Sequence, residues 1–215
     1  MNTKNYLHII FFFVLTACSQ NKNVNADTSL NIIVNETNEP IILWYNIEAD
    51  VITRVMFPYN IMMYNKTNND YVVNSVRYLY RRQDDNYSGG IGGGKLHYKT
   101  NENFYLFTDN GKSFKINQKD SLDYLLYSLH ILKEKNTEQQ QALEIYKEEM
   151  RAQQKDSMHV GTLKQFRKKH PELTEYFLER DSIRISYRKK DQEKPRQFRI
   201  SVSDNGTREV KLKSW

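Results

Sequence analysis

Apolar and polar residues alternate along much of the chain between positions 29 and 118. A period of two is typical of β-strands that bury one face, and the Val, Ile, Tyr and Phe residues in these stretches favour strands. The predicted strands cover residues 30–34, 41–47, 51–57, 61–64, 71–80, 96–99, 104–107 and 113–116. We therefore expect a β-rich region over residues 29–118.

Three turn signals occur inside this region. Asp109-Asn110-Gly111 predicts a hairpin turn, because Asn-Gly accepts the positive φ that tight turns need. Residues 35–38 and 65–68 share the pattern N-x-T-N between apolar segments, which predicts two similar hairpins. Two such hairpins in an aromatic-rich β region favour a sandwich-like, immunoglobulin-type arrangement for this part.

The period changes near Asp120. Five leucines with the spacing of one helix face predict an amphipathic helix that begins at Asp120 or Ser121; they are Leu122, Leu125, Leu126, Leu129 and Leu132. Capping-box spacing before helical stretches occurs twice, at Thr137 with Gln140 and at Thr162 with Gln165. Pro171 suits the first turn of a last helix that ends near Arg180. Residues 119–181 are thus predicted to be helical.

Alternation returns in residues 182–215, around a turn at Asn205-Gly206. It predicts a three-stranded antiparallel meander with one buried face. The expected fold class is α+β, with a β-rich N-terminal part, a helical middle segment and a C-terminal meander. Residues 29–215 are expected to form one domain.

The N-terminus carries a separate signal. Lys4 precedes an apolar run over residues 7–17 that is too short to span a membrane and fits a secretory leader. The run ends in Leu15-Thr16-Ala17-Cys18, which resembles the lipobox of bacterial lipoproteins. That resemblance implies a leader over residues 1–17 and cleavage before Cys18. It also implies lipid on Cys18 that holds the chain on a membrane, and a polar tether over residues 18–28.

The resemblance limits the chemistry of the mature chain. Cys18 is the only cysteine, so no disulfide, thiolate metal site or cysteine nucleophile is expected. Export implies a compartment without ATP or nicotinamide cofactors, and nucleic acid is not an expected partner. Ser19 resembles the residue that follows the lipidated cysteine in outer-membrane cargo of proteobacteria. In a bacterium with two membranes the expected location is therefore the outer membrane, facing the periplasm. In a single-membrane bacterium the anchor would be in the cell membrane.

Two ligand motifs overlap in the glycine-rich segment 84–95. Gly89, Gly94 and Lys95 match G-x-x-x-x-G-K, but the next residue is Leu96, where a phosphate loop needs Ser or Thr. Residues 84–89 copy the first half of a calcium loop, but its twelfth position is Lys95 in place of a bidentate Glu. No cofactor and no metal are expected.

No catalytic residue is predicted either. The histidines lack metal-ligand spacing, and neither G-x-S-x-G nor H-E-x-x-H occurs. A deep cleft with converging carboxylates, or a histidine with a strongly shifted pKa, would overturn a non-enzymatic binding role in favour of an envelope hydrolase of glycan or peptide. An inhibitor or immunity-type lipoprotein is a further alternative.

The net charge of +6, from which the leader removes one cation, favours anionic surfaces. A cationic helix end covers residues 164–170. Five basic side chains are predicted to share the outer face of the C-terminal meander, namely Arg184, Arg188, Arg199, Lys211 and Lys213. They form either a solvated face or a contact surface for anionic headgroups or an acidic partner. The leading prediction is a non-enzymatic interaction module, tethered to a membrane, that binds an envelope protein or polymer.

Overall fold

The computed structural model describes residues 30–80, 94–99, 105–108, 113–202 and 208–209. The predicted leader, the tether and most of the glycine-rich segment lie outside these residues, as does the turn at 109–111. The strands and helices of the described part follow, in chain order. They are β1 (Leu30–Glu36), β2 (Pro40–Asn46), β3 (Val51–Met56), β4 (Pro58–Asn65), β5 (Tyr71–Leu79), β6 (Lys95–Lys99), β7 (Tyr105–Thr108), β8 (Phe114–Ile116), β9 (Ser121–Tyr127), β10 (His130–Ile131), α1 (Thr137–Ala142), α2 (Glu144–Ala152), β11 (Ser157–Thr162), α3 (Leu163–Lys169), α4 (Pro171–Leu178), β12 (Ser182–Lys189), β13 (Arg196–Ser201) and β14 (Arg208–Glu209).

The described strands form three antiparallel sheets. Sheet I has the order β14-β1-β4-β9-β6-β7, sheet II the order β10-β3-β2-β11, and sheet III the order β13-β12-β5-β8. Antiparallel sheets combined with helices confirm the α+β class. The segment layout is different from the predicted one, because strands and helices alternate in the second half of the chain.

One core joins the sheets and the helices. Its buried members come from sheet I (Ile32), sheet II (Leu43), sheet III (Val76) and α3 (Phe166). Ring contacts connect sheet I to sheet III, with 4.6 Å between the centroids of Phe114 and Tyr124. A smaller cluster of Met56, Leu125 and Tyr127 lies apart from this core.

The two N-x-T-N segments are not hairpins, contrary to prediction. β1 and β2 belong to sheets I and II, and β4 and β5 belong to sheets I and III, so each segment leads the chain from one sheet to another. Asn65 holds the second of these connections. Its Nδ2 donates to the carbonyl oxygens of Asn69 at 2.7 Å and Asn117 at 2.6 Å, and its Oδ1 accepts from the backbone nitrogen and the hydroxyl of Thr67. The turn at 109–111 lies outside the described residues, and the described strands on either side of it pair elsewhere, β7 with β6 and β8 with β5.

The leucine-rich segment near Asp120 is not a helix. It contains β9, which lies between β4 and β6 in sheet I. Tyr124, Leu125, Leu126 and Tyr127 are all buried, because the main core covers one face of the strand and the smaller cluster covers the other. A strand buried on both faces has apolar residues at consecutive positions, and such a run also contains the spacing of a helix.

The rest of the predicted helical segment is partly helical. The capping box at Thr162 is confirmed: the Thr162 hydroxyl accepts from the Gln165 backbone, and the Gln165 side chain accepts from the Thr162 backbone at 2.9 Å. Pro171 begins α4 as predicted. At Thr137 the predicted capping box is wrong, since Thr137 is the first helical residue and Gln140 binds the backbone of β3. β11 interrupts the segment between α2 and α3.

The prediction of a three-stranded C-terminal meander is correct for two of its strands. β12 and β13 pair as an antiparallel hairpin. The third strand, β14, pairs with β1 in sheet I, and the other neighbour of β12 is β5. The sequence pattern predicts a third strand with one buried face, but it does not indicate which strand β14 pairs with.

Candidate contact surface

Three arginines lie side by side on the outer face of sheet III. Arg184 of β12 is directly opposite Arg199 of β13 and directly opposite Arg77 of β5. Opposite residues in antiparallel sheets have Cβ atoms about 4.5–5.5 Å apart. Ile183 and Ile185, the neighbours of Arg184 along the strand, are fully buried in the core, so the three arginines face away from it. We call Arg77, Arg184 and Arg199 the arginine row.

The arginine row has no ion pair with any residue of the described part of the chain. None of the outward positions on the four strands holds a carboxylate; they are occupied by Val72, Ser75, Leu79, Lys115, Ser182, Ser186, Arg188, Gln197 and Ser201 besides the row itself. Like charges directly opposite in a sheet are destabilising. The row therefore costs folding free energy, which an anionic ligand would recover.

The exposure of the row permits contact with a ligand. Arg77 and Arg199 are exposed, and Arg184 is half-buried between them. Arg199 uses its Nε to donate to the Ser182 hydroxyl at 2.5 Å, which fixes the side chain across the strand pair. Its terminal guanidinium nitrogens, which form the fork that binds carboxylate or phosphate, have no hydrogen bond to the described residues.

A polar row lies beside the arginine row. Ser186 is opposite Ser75 on one side and Gln197 on the other. Ser186 is only 7% exposed although it is at an outward position of β12. Hydroxyl and amide groups thus lie next to the three guanidinium groups.

The five basic residues that were predicted to share the outer face of the meander do not have equivalent positions in the structure. Arg184 and Arg199 belong to the arginine row, and Arg188 lies on the same face. The Arg188 guanidinium donates to the carbonyl oxygens of Lys190 at 3.1 Å and Gln192 at 2.9 Å, so it holds the turn of the hairpin.

Lys211 and Lys213 lie outside the described residues. Their predicted position depended on the third strand of the meander, which does not join this sheet. Sequence reasoning missed Arg77. The outward position of Arg77 could be predicted from the alternation in its strand. Its place beside Arg184 depends on a pairing between residues more than a hundred positions apart.

A polar cluster lies inside the core. His130 is enclosed by the rings of Phe57, Tyr78, Tyr80 and Phe177, with centroids 5.1–5.7 Å away. Its Nε2 is 3.7 Å from the Asp181 carboxylate, which is beyond hydrogen-bond distance. Burial lowers the pKa of His130 to about 3, so the imidazole is neutral at neutral pH and the contact is not an ion pair. Burial also raises the pKa of Tyr59 and Tyr78.

His130 meets one criterion for an enzyme, a strongly shifted pKa. The shift has a single cause, the loss of hydration inside the aromatic cage. A general base must come within hydrogen-bond reach of its substrate, and the imidazole is 8% exposed. The cluster therefore fits a structural role better than a catalytic one.

A cleft of about 420 Å³ runs beside α4. Its lining includes Arg167, Thr174, Glu175, Glu179 and Arg180. The two carboxylates, Glu175 and Glu179, lie four residues apart at the end of one helix and do not face each other across the cleft. Arg167 is held in an ion pair with Glu36 at 2.5 Å. The cleft thus lacks the opposed acid pair of a glycosidase.

Within the described ranges, no group of three or more His, Cys, Asp and Glu side chains could hold a metal ion. The phosphate-loop and calcium-loop motifs lie mostly outside those ranges; Leu96, after the critical lysine, belongs to strand β6 and does not open a helix. No helix in the described part has the length and apolarity needed to cross a membrane. Comparison with known proteins finds no matching family model, curated protein or solved structure.

Proposed function

We propose that this chain is a bacterial lipoprotein that lipid on Cys18 holds on a membrane. Its folded part acts by binding an anionic component of the cell envelope, and not by catalysis. The observation that carries the proposal is the arginine row: three arginines in direct cross-strand register on a sheet face whose outward positions, on the described strands, hold no carboxylate.

The anchor proposal rests on the order and spacing of the N-terminal signals. A cation, a short apolar run and Leu15-Thr16-Ala17-Cys18 follow one another as in lipoprotein precursors. Two or more acyl chains anchor a protein stably without a membrane-spanning helix. For a bacterium with two membranes we propose that the anchor lies in the outer membrane, facing the periplasm, because Ser19 follows the cysteine.

A Cys18→Ala chain tests the anchor. It is expected to lose incorporation of radiolabelled palmitate and to move from the membrane fraction to the soluble fraction, because the only thiol that can accept lipid is gone. A Cys18→Ser chain serves as a second, near-isosteric version. Unchanged cleavage and membrane association in both would contradict the lipoprotein assignment.

The binding proposal is tested by mild crosslinking in native envelopes, followed by mass spectrometry. The wild-type chain is expected to recover an anionic component, and the variant Arg77→Gln, Arg184→Gln, Arg199→Gln is expected to lose it. A charge-matched control, Lys135→Gln, Lys164→Gln, Lys168→Gln, removes three exposed cations from other surfaces. Equal recovery by all three chains would refute the contact surface.

An envelope hydrolase is the second candidate, favoured by the His130–Asp181 contact and by the cleft beside α4, whose lining residue Arg180 precedes Asp181 in the sequence. In that case His130→Phe would abolish release of soluble fragments from purified envelopes. The binding proposal expects no such release by the wild-type chain. The two candidates therefore give opposite results in one assay.

A further inference from the structure

We infer that the arginine row binds the phosphate groups of anionic phospholipid headgroups, so that the outer face of sheet III lies on the membrane that holds the lipid anchor. This inference rests on the proposed function and names the anion. It assigns the folded part a second attachment to the membrane, beside the acyl chains on Cys18.

The chemistry of the face fits headgroups. Each guanidinium group can donate two parallel hydrogen bonds to phosphate oxygens, and arginine is the preferred side chain for such contacts. Neighbouring strands are about 4.8 Å apart, so the row from Arg77 to Arg199 spans about 10 Å and can contact more than one phosphate. In the adjacent polar row, Ser75 and Gln197 offer donors and acceptors for glycerol and headgroup hydroxyls, whereas Ser186 between them is buried.

A protein partner fits the same face less well. The centres of protein interfaces are rich in Tyr, Trp, Phe and Met, which fill pockets on the partner. The outward positions of sheet III contain no aromatic residue; Val72 and Leu79 are their only apolar members. A cationic, hydroxyl-rich surface without an apolar anchor is suited to a polar, fluid layer of charges.

The anchor makes weak headgroup contacts sufficient. Leu30 is twelve positions after Cys18, and an extended chain of that length reaches at most about 40 Å. A tethered domain therefore meets headgroups at a high effective concentration, and contacts too weak to recruit a free protein become occupied. Cations near an anionic membrane each strengthen binding about fivefold, so three give roughly 100-fold.

The experiment uses the full chain carrying Cys18→Ala, so that no lipid is attached, and flotation with vesicles. One vesicle type is phosphatidylcholine alone, and the other contains phosphatidylglycerol as well. The apolar leader contributes to both types, so the measured quantity is the gain in binding that phosphatidylglycerol produces. We expect a gain that falls at least tenfold in the variant Arg77→Gln, Arg184→Gln, Arg199→Gln and that is also lost at high salt.

The control variant Lys135→Gln, Lys164→Gln, Lys168→Gln has the same net charge as the arginine variant. If it loses the gain equally, general charge explains the binding and the inference is overturned. Circular dichroism of both variants checks that they are folded.

A second measurement, with a dye on a single cysteine, does not need these substitutions. Because the Cys18→Ala chain has no cysteine, a polarity-sensitive dye can be attached through Ser75→Cys on the face or Gln141→Cys on α1. The inference requires an emission shift with the anionic vesicles for the first position alone.

A parallel arm offers polygalacturonate, a carboxylated glycan, and a soluble acidic protein. If these bind through the arginine row and the vesicles do not, the headgroup assignment is wrong and the proposed anion-binding function stands. If neither vesicles nor soluble anions respond to the arginine substitutions, the inference and the proposed contact surface fail together.

Discussion

Gln140 takes the place of a missing strand partner, and its removal should be among the most damaging single changes at a polar position. β10 pairs with β3 only at Val55 and Arg54. Two residues from Arg54 on β3, the side-chain Oε1 of Gln140 accepts from the Ile52 backbone nitrogen at 3.0 Å, and its Nε2 donates to the Ile52 carbonyl at 2.8 Å. Gln140 is 6% exposed and Ile52 is fully buried, so water does not replace these bonds.

The perturbation is Gln140→Met, which keeps the length of the side chain and removes both hydrogen bonds. Each buried backbone group left without a partner costs about 1–3 kcal/mol, so the expected loss is roughly 3 kcal/mol of unfolding free energy. That is a large part of the about 5–15 kcal/mol by which folded domains are usually stable. Gln140→Ala should lose more, because it also leaves a cavity.

Urea unfolding followed by circular dichroism measures the effect. With a slope of about 2 kcal/mol per molar urea, the midpoint should fall by roughly 1.5 M at unchanged slope. Gln141→Met, an exposed position in the same helix, is the control and should change stability by less than about 0.5 kcal/mol. A loss below about 1 kcal/mol for Gln140→Met would refute the reasoning, since the backbone of Ile52 would then find other partners.

Two further predictions concern stability. Asn65→Ala removes the four hydrogen bonds that Asn65 makes in the second sheet connection and should lower the unfolding free energy by about 3 kcal/mol. Asn35→Ala, at the equivalent place of the first connection, removes a buried Oδ1 that has no hydrogen bond and should cost less than about 0.5 kcal/mol. Equal effects of the two substitutions in thermal unfolding would contradict this prediction. The pKa of His130 is about 3 when folded and near 6.5 when unfolded, so the unfolded state binds the proton first and stability should fall as the pH drops from about 6.5 towards 3, by up to about 1.4 kcal/mol per pH unit. His130→Phe should flatten that dependence between pH 6 and pH 4, and parallel curves for the two proteins would show that His130 is not its source.

The sequence predicted local structure best where one face of an element is buried. The strand pattern of residues 30–80 and the helices that begin at Leu163 and Pro171 are found close to their predicted bounds. The segment around Leu125 failed because both of its faces are covered, by the main core on one side and by Met56, with the partly buried Ile42 and Trp44, on the other. A period cannot be assigned where consecutive positions, here residues 124–127, are all apolar.

Strand pairing could not be predicted from the sequence, for a different reason. The N-x-T-N segments have the composition of hairpin turns, and the bonds around Asn65 are those of a local turn. Whether the next strand turns back on the previous one or crosses to another sheet depends on burial at distant positions. The same limit applies to the arginine row, whose members come from segments that are far apart in sequence.

The clean alternation of β12 and β13 nevertheless points to the candidate surface. A strand that alternates strictly has one face in the core and one face open, so its polar residues must share an outer surface. Arg184 and Arg199 were found together because each follows from its own strand pattern, and the register adds only their order. β9 gives the converse case, since its last four residues are buried on both faces and offer no exposed side chain to a ligand. One-sided burial therefore both makes a strand predictable from sequence and leaves an outer face, on which lie three arginines that have no ion pair within the described part of the chain.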